Sequence, residues 1–212
     1  MFIFIFLQKP LKFFIMKKIF LITILSVLTG LFFFNFSPVN EGPNSWLKGG
    51  TKLTYHLVSD NSAYDFIVSD LKIDEKISFK WNMTEPASIS GSVIINKNAL
   101  DNATNIVDDF SNGSSLIMDD QTTVWLSRLI YKNIKDQKPV DVKFDGNPET
   151  IKFKSNEKLK INVDGTDKEV NVLYAETQSG HQLWILDDNI NPLIIKMQLG
   201  FTIELKSVVS TK

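Results

Sequence analysis

The sequence predicts a mainly β protein of α+β class. The expected architecture is a curved antiparallel sheet or open barrel of about eleven strands, covered by two amphipathic helices and preceded by an N-terminal hydrophobic helix. Three observations carry that reading. Apolar and polar residues alternate in short runs between turn residues over most of the chain, two windows in the middle change to the 3.6-residue period, and the first 40 residues differ in composition from all that follows.

The leading segment holds no Asp, Glu or Arg, only four Lys, and ten of the sixteen Phe in a chain of 212 residues. From Ile19 to Phe36 it reads IFLITILSVLTGLFFFNF, directly after Lys17-Lys18. The positive-inside bias keeps those lysines in the cytoplasm, so the remainder is expected to be extracytoplasmic, periplasmic or secreted. Met16 opens a complete signal-peptide pattern, which makes residues 1 to 15 a candidate upstream start. The apolar run sits at the lower edge of a bilayer-spanning helix and above the usual signal-peptide length, and no small-x-small cleavage site follows it. Residues 1–40 are therefore either a signal peptide or an uncleaved anchor in the inner membrane. The chain has no Cys, which removes lipoprotein acylation, disulfides, thiolate metal sites and Cys nucleophiles together.

Four of the 23 basic residues lie in the leader, leaving 19 against 24 acidic residues from Glu41 to Lys212 and a net charge near −5. With Arg128 as its single Arg, the chain lacks the clustered cations that nucleic acid requires as a partner. Residues 41–50, EGPNSWLKGG, read as a linker, and residues 51–209 as one β-rich domain.

Strands begin at Thr51 to Val58. In YDFIVSDL the side chains of Tyr64, Phe66 and Val68 share a face; in KISFKWNM it is Ile77, Phe79, Trp81 and Met83; in ISGSVIIN it is Ile89, Gly91, Val93 and Ile95. The period then changes. Ala99, Leu100, Ala103, Ile106, Val107 and Phe110 fall on one helical stripe that Ser111-Asn112-Gly113 ends. A second helix is expected from Thr122 to Lys135, with Trp125, Leu126, Leu129, Ile130 and Ile134 on its apolar side. Asp120 or Thr122 is its N-cap, and Lys132 and Lys135 lie where the helix dipole favours cations. Strands return as VDVKF, TIKFK, KLKINV, KEVNVLYAET, QLWILD, PLIIKM and FTIELKSV, with Asn156-Glu157 among the expected turns and Asp164-Gly165 the strongest hairpin signal.

Catalytic chemistry has little support. His56 lies in a strand and His181 in a Ser-Gly-His turn, neither in a metal-ligand spacing, and no Gly-x-Ser-x-Gly elbow occurs. Neighbouring acidic residues such as Asp108-Asp109, Asp119-Asp120 and Asp187-Asp188 point to opposite faces when extended. Asp187, Asn189 and Asn191 imitate the start of a calcium loop, but Pro192 stands where the EF-hand needs Gly. No catalytic set, metal site or cofactor is predicted. Arg128 is a candidate polar contact for a carboxylate or phosphate headgroup, against the plainer reading of a helix residue paired with an Asp. The candidate cavity lining is Phe66, Val68, Phe79, Trp81, Val93, Trp125, Leu129, Trp184 and Ile195, set against the alternative that these side chains fill a core.

The closing stretch LWILDDNINPLIIKMQLGFTIELKSV, a Trp-containing strand followed by an Asn-Pro-Leu-Ile turn into the last hairpin, resembles that of secreted or periplasmic proteins of Bacteroidota type. In outline the domain is similar to the lipoprotein-carrier (Lol) half-barrel fold, although about four strands precede the first helix here, where the carriers open with a helix. The resemblance implies an open barrel whose apolar concavity receives acyl chains, and no carrier motif transfers to individual residues. The expected function is a non-enzymatic exported protein that binds a lipid or other apolar ligand inside a curved sheet, tethered to the membrane if the leader is retained. The alternative is an envelope protein-protein interaction module with a fully packed core, and a hydrolase using His56 or His181 ranks last.

Overall fold

The alternating pattern forms one thirteen-stranded sheet in the computed structural model, which describes Gly42 and residues 44–59, 62–85, 89–108 and 110–210. The predicted leader lies outside the described residues. Among those described, no helix is long and apolar enough to cross a membrane.

Strands β1 (Lys52–Ser59), β2 (Ser62–Ile73), β3 (Ile77–Met83) and β4 (Ser90–Ile95) form an antiparallel meander. Period 2 sends Leu53, Tyr55, Phe66, Val68, Ile77, Phe79, Trp81, Val93 and Ile95 inward, where all are buried. After β4 come helix α1 (Lys97–Asn102), the short strands β5 (Asn105–Ile106), β6 (Ser115–Met118) and β7 (Gln121–Thr122), and helix α2 (Arg128–Lys135). The last six strands are β8 (Val140–Phe144), β9 (Asn147–Val163), β10 (Thr166–Thr177), β11 (Gln182–Leu186), β12 (Ile194–Gln198) and β13 (Thr202–Val209). Two of their turns, Asp145-Gly146 and Asp164-Gly165, place both residues at positive φ. That geometry matches the right-handed twist of the flanking strands.

The strand order is β6-β4-β3-β2-β1-β13-β12-β11-β10-β9-β8-β5-β7. Two features curl this sheet. Near its C-terminus β13 also pairs in parallel with the end of β9, Ser207 with Asn162 and Val208 with Val163, which closes a ring over β9 to β13. The two edge strands β6 and β7 are joined by Asp119 and Asp120 alone, so their ends lie within about 11 Å of one another, three Cα steps of the chain.

The structure corrects several expectations. The first predicted helix stops at Asn102, where Ala103 turns to extended geometry; Ile106 lies in β5 instead, and Val107 and Phe110 in non-helical chain after it. Hydrogen bonds on both sides decide this: Lys143 N donates to the Thr104 carbonyl, Asp145 N to that of Ile106, and Val107 N to that of Thr122. The second helix begins at Arg128, not Thr122. Its N-cap is Ser127, whose hydroxyl accepts from Ile130 N at 3.2 Å, while Val124 to Leu126 pair with 192–194. TIKFK and KLKINV are one strand, because β10 pairs straight through Asn156 and Glu157. The pairing is mostly antiparallel, with β4–β6, β5–β7, β5–β8 and β9–β13 parallel. Residues read as a linker enter the core: Trp46 and Leu47 are buried, and Gly50 N donates to the Leu71 carbonyl.

Candidate functional site

An apolar cavity of about 330 Å³ opens between the inner faces of β1 to β3, β12 and β13 and the segments on either side of β6 and β7. Its floor is built by strand alternation. Tyr55 and Leu57 of β1, Phe66 of β2, Ile194 and Met197 of β12 and Ile203 of β13 all face inward and are buried. The Tyr55 hydroxyl donates to the Ile194 carbonyl at 3.0 Å, and burial pushes its ionisation far above the ordinary phenol range. The cover is not helix. Ile106, Val107, Asp108 and Phe110 come from β5 and the segment after it, Thr123 and Val124 from the segment after β7, and Phe144 from the end of β8.

Half-buried side chains mark the opening: Ser59, Tyr64, Met83, Asp108, Phe110 and Phe201. Phe110 packs with ring centroids 5.0 Å from Phe66 and 5.1 Å from Trp81, edge-on to the indole. Asp108 is the single charged side chain in the wall among the described residues, and its backbone N–H donates to the Asp145 carboxylate at 3.1 Å.

Of the nine predicted lining residues, Phe66 lies in this wall. Val68, Trp81 and Ile195 are buried core outside it, and Trp125 packs 5.6 Å from Phe79 and bridges to Leu193. Phe79 and Val93 are buried core as well. Leu129 is 39% exposed on α2, which takes it out of the interior. Trp184 lies on the opposite sheet face, stacked 4.8 Å from Tyr174, covered by Lys196 and donating to Glu157 at 2.8 Å. Its polar N–H and the cross-strand Lys keep it on the wetter side. Tyr55, Leu57, Met197 and Ile203 continue strand faces that alternation reveals. Ile106, Val107 and Phe110 were masked by their helical spacing.

Arg128 does not reach the cavity. Its Nη1 pairs with Asp101 at 2.5 Å and its Nε donates to the Ile190 carbonyl at 3.2 Å. Lys97 and then Arg128 hold the Asp101 carboxyl below the usual carboxylate range. His56 bonds Asp65 at 2.9 Å across β1 and β2, while His181 lies 3.3 Å from Ser179 Oγ, whose hydroxyl donates to Glu149. The Asp187-Asp188 turn is committed within the fold: Tyr131 and Lys135 hold Asp187, and Asp188 accepts from Asn44 and from the N–H groups of Ile190 and Asn191. Among the described residues no group of three His, Asp or Glu is placed to hold a metal ion.

Comparison of the chain with protein-family models, with curated proteins and with solved structures returns no match.

Proposed function

We propose that this is an exported, non-enzymatic protein whose curved sheet, an open-barrel outline of the Lol kind, holds one apolar small molecule or acyl chain. The observation that carries the reading is the cavity: about 330 Å³, with a wall that is apolar apart from a few polar groups. That volume falls at the small end of ligand pockets. It equals the liquid volume of roughly eleven water molecules at ~30 Å³ each, room for one short chain or ring system and not for several acyl chains. Each buried methylene contributes ~0.8 kcal/mol, so a ten-carbon chain supplies about 8 kcal/mol before association costs.

The apolar run Ile19 to Phe36 supports export and, if retained, a tether to the inner membrane. Native mass spectrometry of the full chain, purified from its host envelope, tests the reading. An added mass that disappears on denaturation and matches a lipid or other apolar compound is expected. A bare mass together with no displaceable apolar dye would remove it. The second reading, an envelope interaction module, draws support from the short edge strand β6, whose Ile117 is 63% exposed.

A further inference from the structure

We propose that the ligand of this cavity is uncharged and carries a hydroxyl or carbonyl oxygen that hydrogen-bonds the side-chain hydroxyl of Thr123. The inference rests on reading the cavity as a ligand site and names the chemistry of what enters it. The observation behind it is a buried hydroxyl in the wall with nothing to bond. Thr123 is 4% exposed and lines the cavity, and its Oγ1 has no hydrogen-bond partner among the described residues. Other buried hydroxyls are committed within the chain: Thr51 donates to the Trp46 carbonyl, Ser127 accepts from Ile130 N, and Thr177 accepts from His181 N. Thr122 is unpartnered as well, but it is not part of the wall. A hydroxyl buried without a partner is costly, and a ligand oxygen that reaches it removes that cost on binding.

The chain around Thr123 is fixed before any ligand arrives. Val107 N donates to the Thr122 carbonyl at 2.8 Å, and Ile194 N donates to the Val124 carbonyl at 2.8 Å. A hydroxyl on backbone pinned at both neighbours orients a ligand with little further loss of freedom. The rest of the wall sets the charge. Besides Thr123 its polar side chains are Ser59, Tyr64 and Tyr55, all neutral hydroxyls, and Asp108, which already interacts within the chain. No Lys, Arg or His lines it among the described residues. A carboxylate or phosphate drawn in to Thr123 would lose its water with no cation to pair it, and an ammonium would compete with the interaction that Asp108 already makes. A neutral alcohol, ester or ketone meets neither penalty.

The test titrates the full chain, stripped of bound lipid, at pH 7 with octane, 1-octanol, 2-octanone and octanoate, and repeats the series on Thr123→Val, which keeps the branched shape and removes the oxygen. The two neutral oxygen ligands are expected to lose about fivefold in affinity in the variant, the worth of one neutral hydrogen bond, while octane binds no more weakly and so reports that the variant is folded. Octanoate is expected to bind the unaltered protein roughly tenfold or more weakly than 1-octanol. Thr123→Ser, which restores a hydroxyl, should retain the affinity for 1-octanol. If Thr123→Val does not fold, the ranking of 1-octanol over octanoate and its persistence in Thr123→Ser decide. Equal affinity of 1-octanol for the unaltered protein and Thr123→Val, or octanoate binding more tightly than 1-octanol, overturns the end-group assignment and leaves the apolar cavity standing. Failure of all four ligands overturns both readings.

Discussion

Gly91 shows how little space separates neighbouring groups on the inner face of the meander. A Cβ at this position would lie 2.5 Å from the Ser114 carbonyl oxygen and 2.8 Å from Nε1 of Trp81, and neither a backbone oxygen nor a buried indole can swing aside. Gly91→Ala is therefore expected to destabilise the fold by about 1–3 kcal/mol, the usual cost of overpacking, measured as a fall in the urea midpoint at unchanged slope. Asp187 sets a different kind of limit. Burial works to raise its ionisation, but the Lys135 ammonium and the Tyr131 hydroxyl outweigh it and hold the carboxyl below its ordinary value. A folded-state value below the unfolded one contributes stability above the unfolded pKa of about 3.9, and that stability is lost as pH falls through the folded value. Stability followed from pH 6 down to pH 2 should show this acid limb, and Asp187→Asn should flatten it.

Helix α2 depends on a single capping hydroxyl at its start. Ser127 is fully buried, and its Oγ is the acceptor for Ile130 N. Ser127→Ala should cost about 1 kcal/mol, read by chemical denaturation, because the donor it abandons has no water to replace the oxygen. The sequence signal for this cap was present, since Ser127 precedes Arg128-Leu129-Ile130, but the apolar Trp125 and Leu126 extend the helical stripe backwards and hide it. Elements with strict alternation were legible in the same sequence: the inward faces of β1 to β4 and the Asp164-Gly165 turn follow from period 2 and from turn chemistry. Short strands were not. Asn105–Ile106 and Gln121–Thr122 are too brief to show a period, and they exist because hydrogen-bonding partners lie on both sides of β5. For the same reason Phe110 counted as a helix residue when it covers the cavity. Phe110→Ala should lower stability by about 2–3 kcal/mol, less than the 3–5 kcal/mol typical of a fully buried ring, and should weaken any ligand held beneath it. The two effects separate by comparing thermal stability with and without ligand.

At the scale of the molecule, the sheet is held by its last strand. β13 lies between β1 and β12 and touches β9 as well, with Lys52 opposite Val209 and Val208 opposite Val163. Removing residues 202–212 would leave β1 and β12 with facing unpaired edges and the ring over β9 to β13 open. The expected result is loss of the cooperative denaturation transition and association of the product into oligomers, seen by size-exclusion chromatography. The placement of β13 also orders events in time. The first strand of the domain finds one of its two partners about 150 residues further along the chain, and pairings between such distant positions form slowly. Closure of the sheet therefore waits for β13. Until β13 docks, β1 to β4 and β8 to β12 share no strand, so closing this long loop is the step expected to set the folding rate.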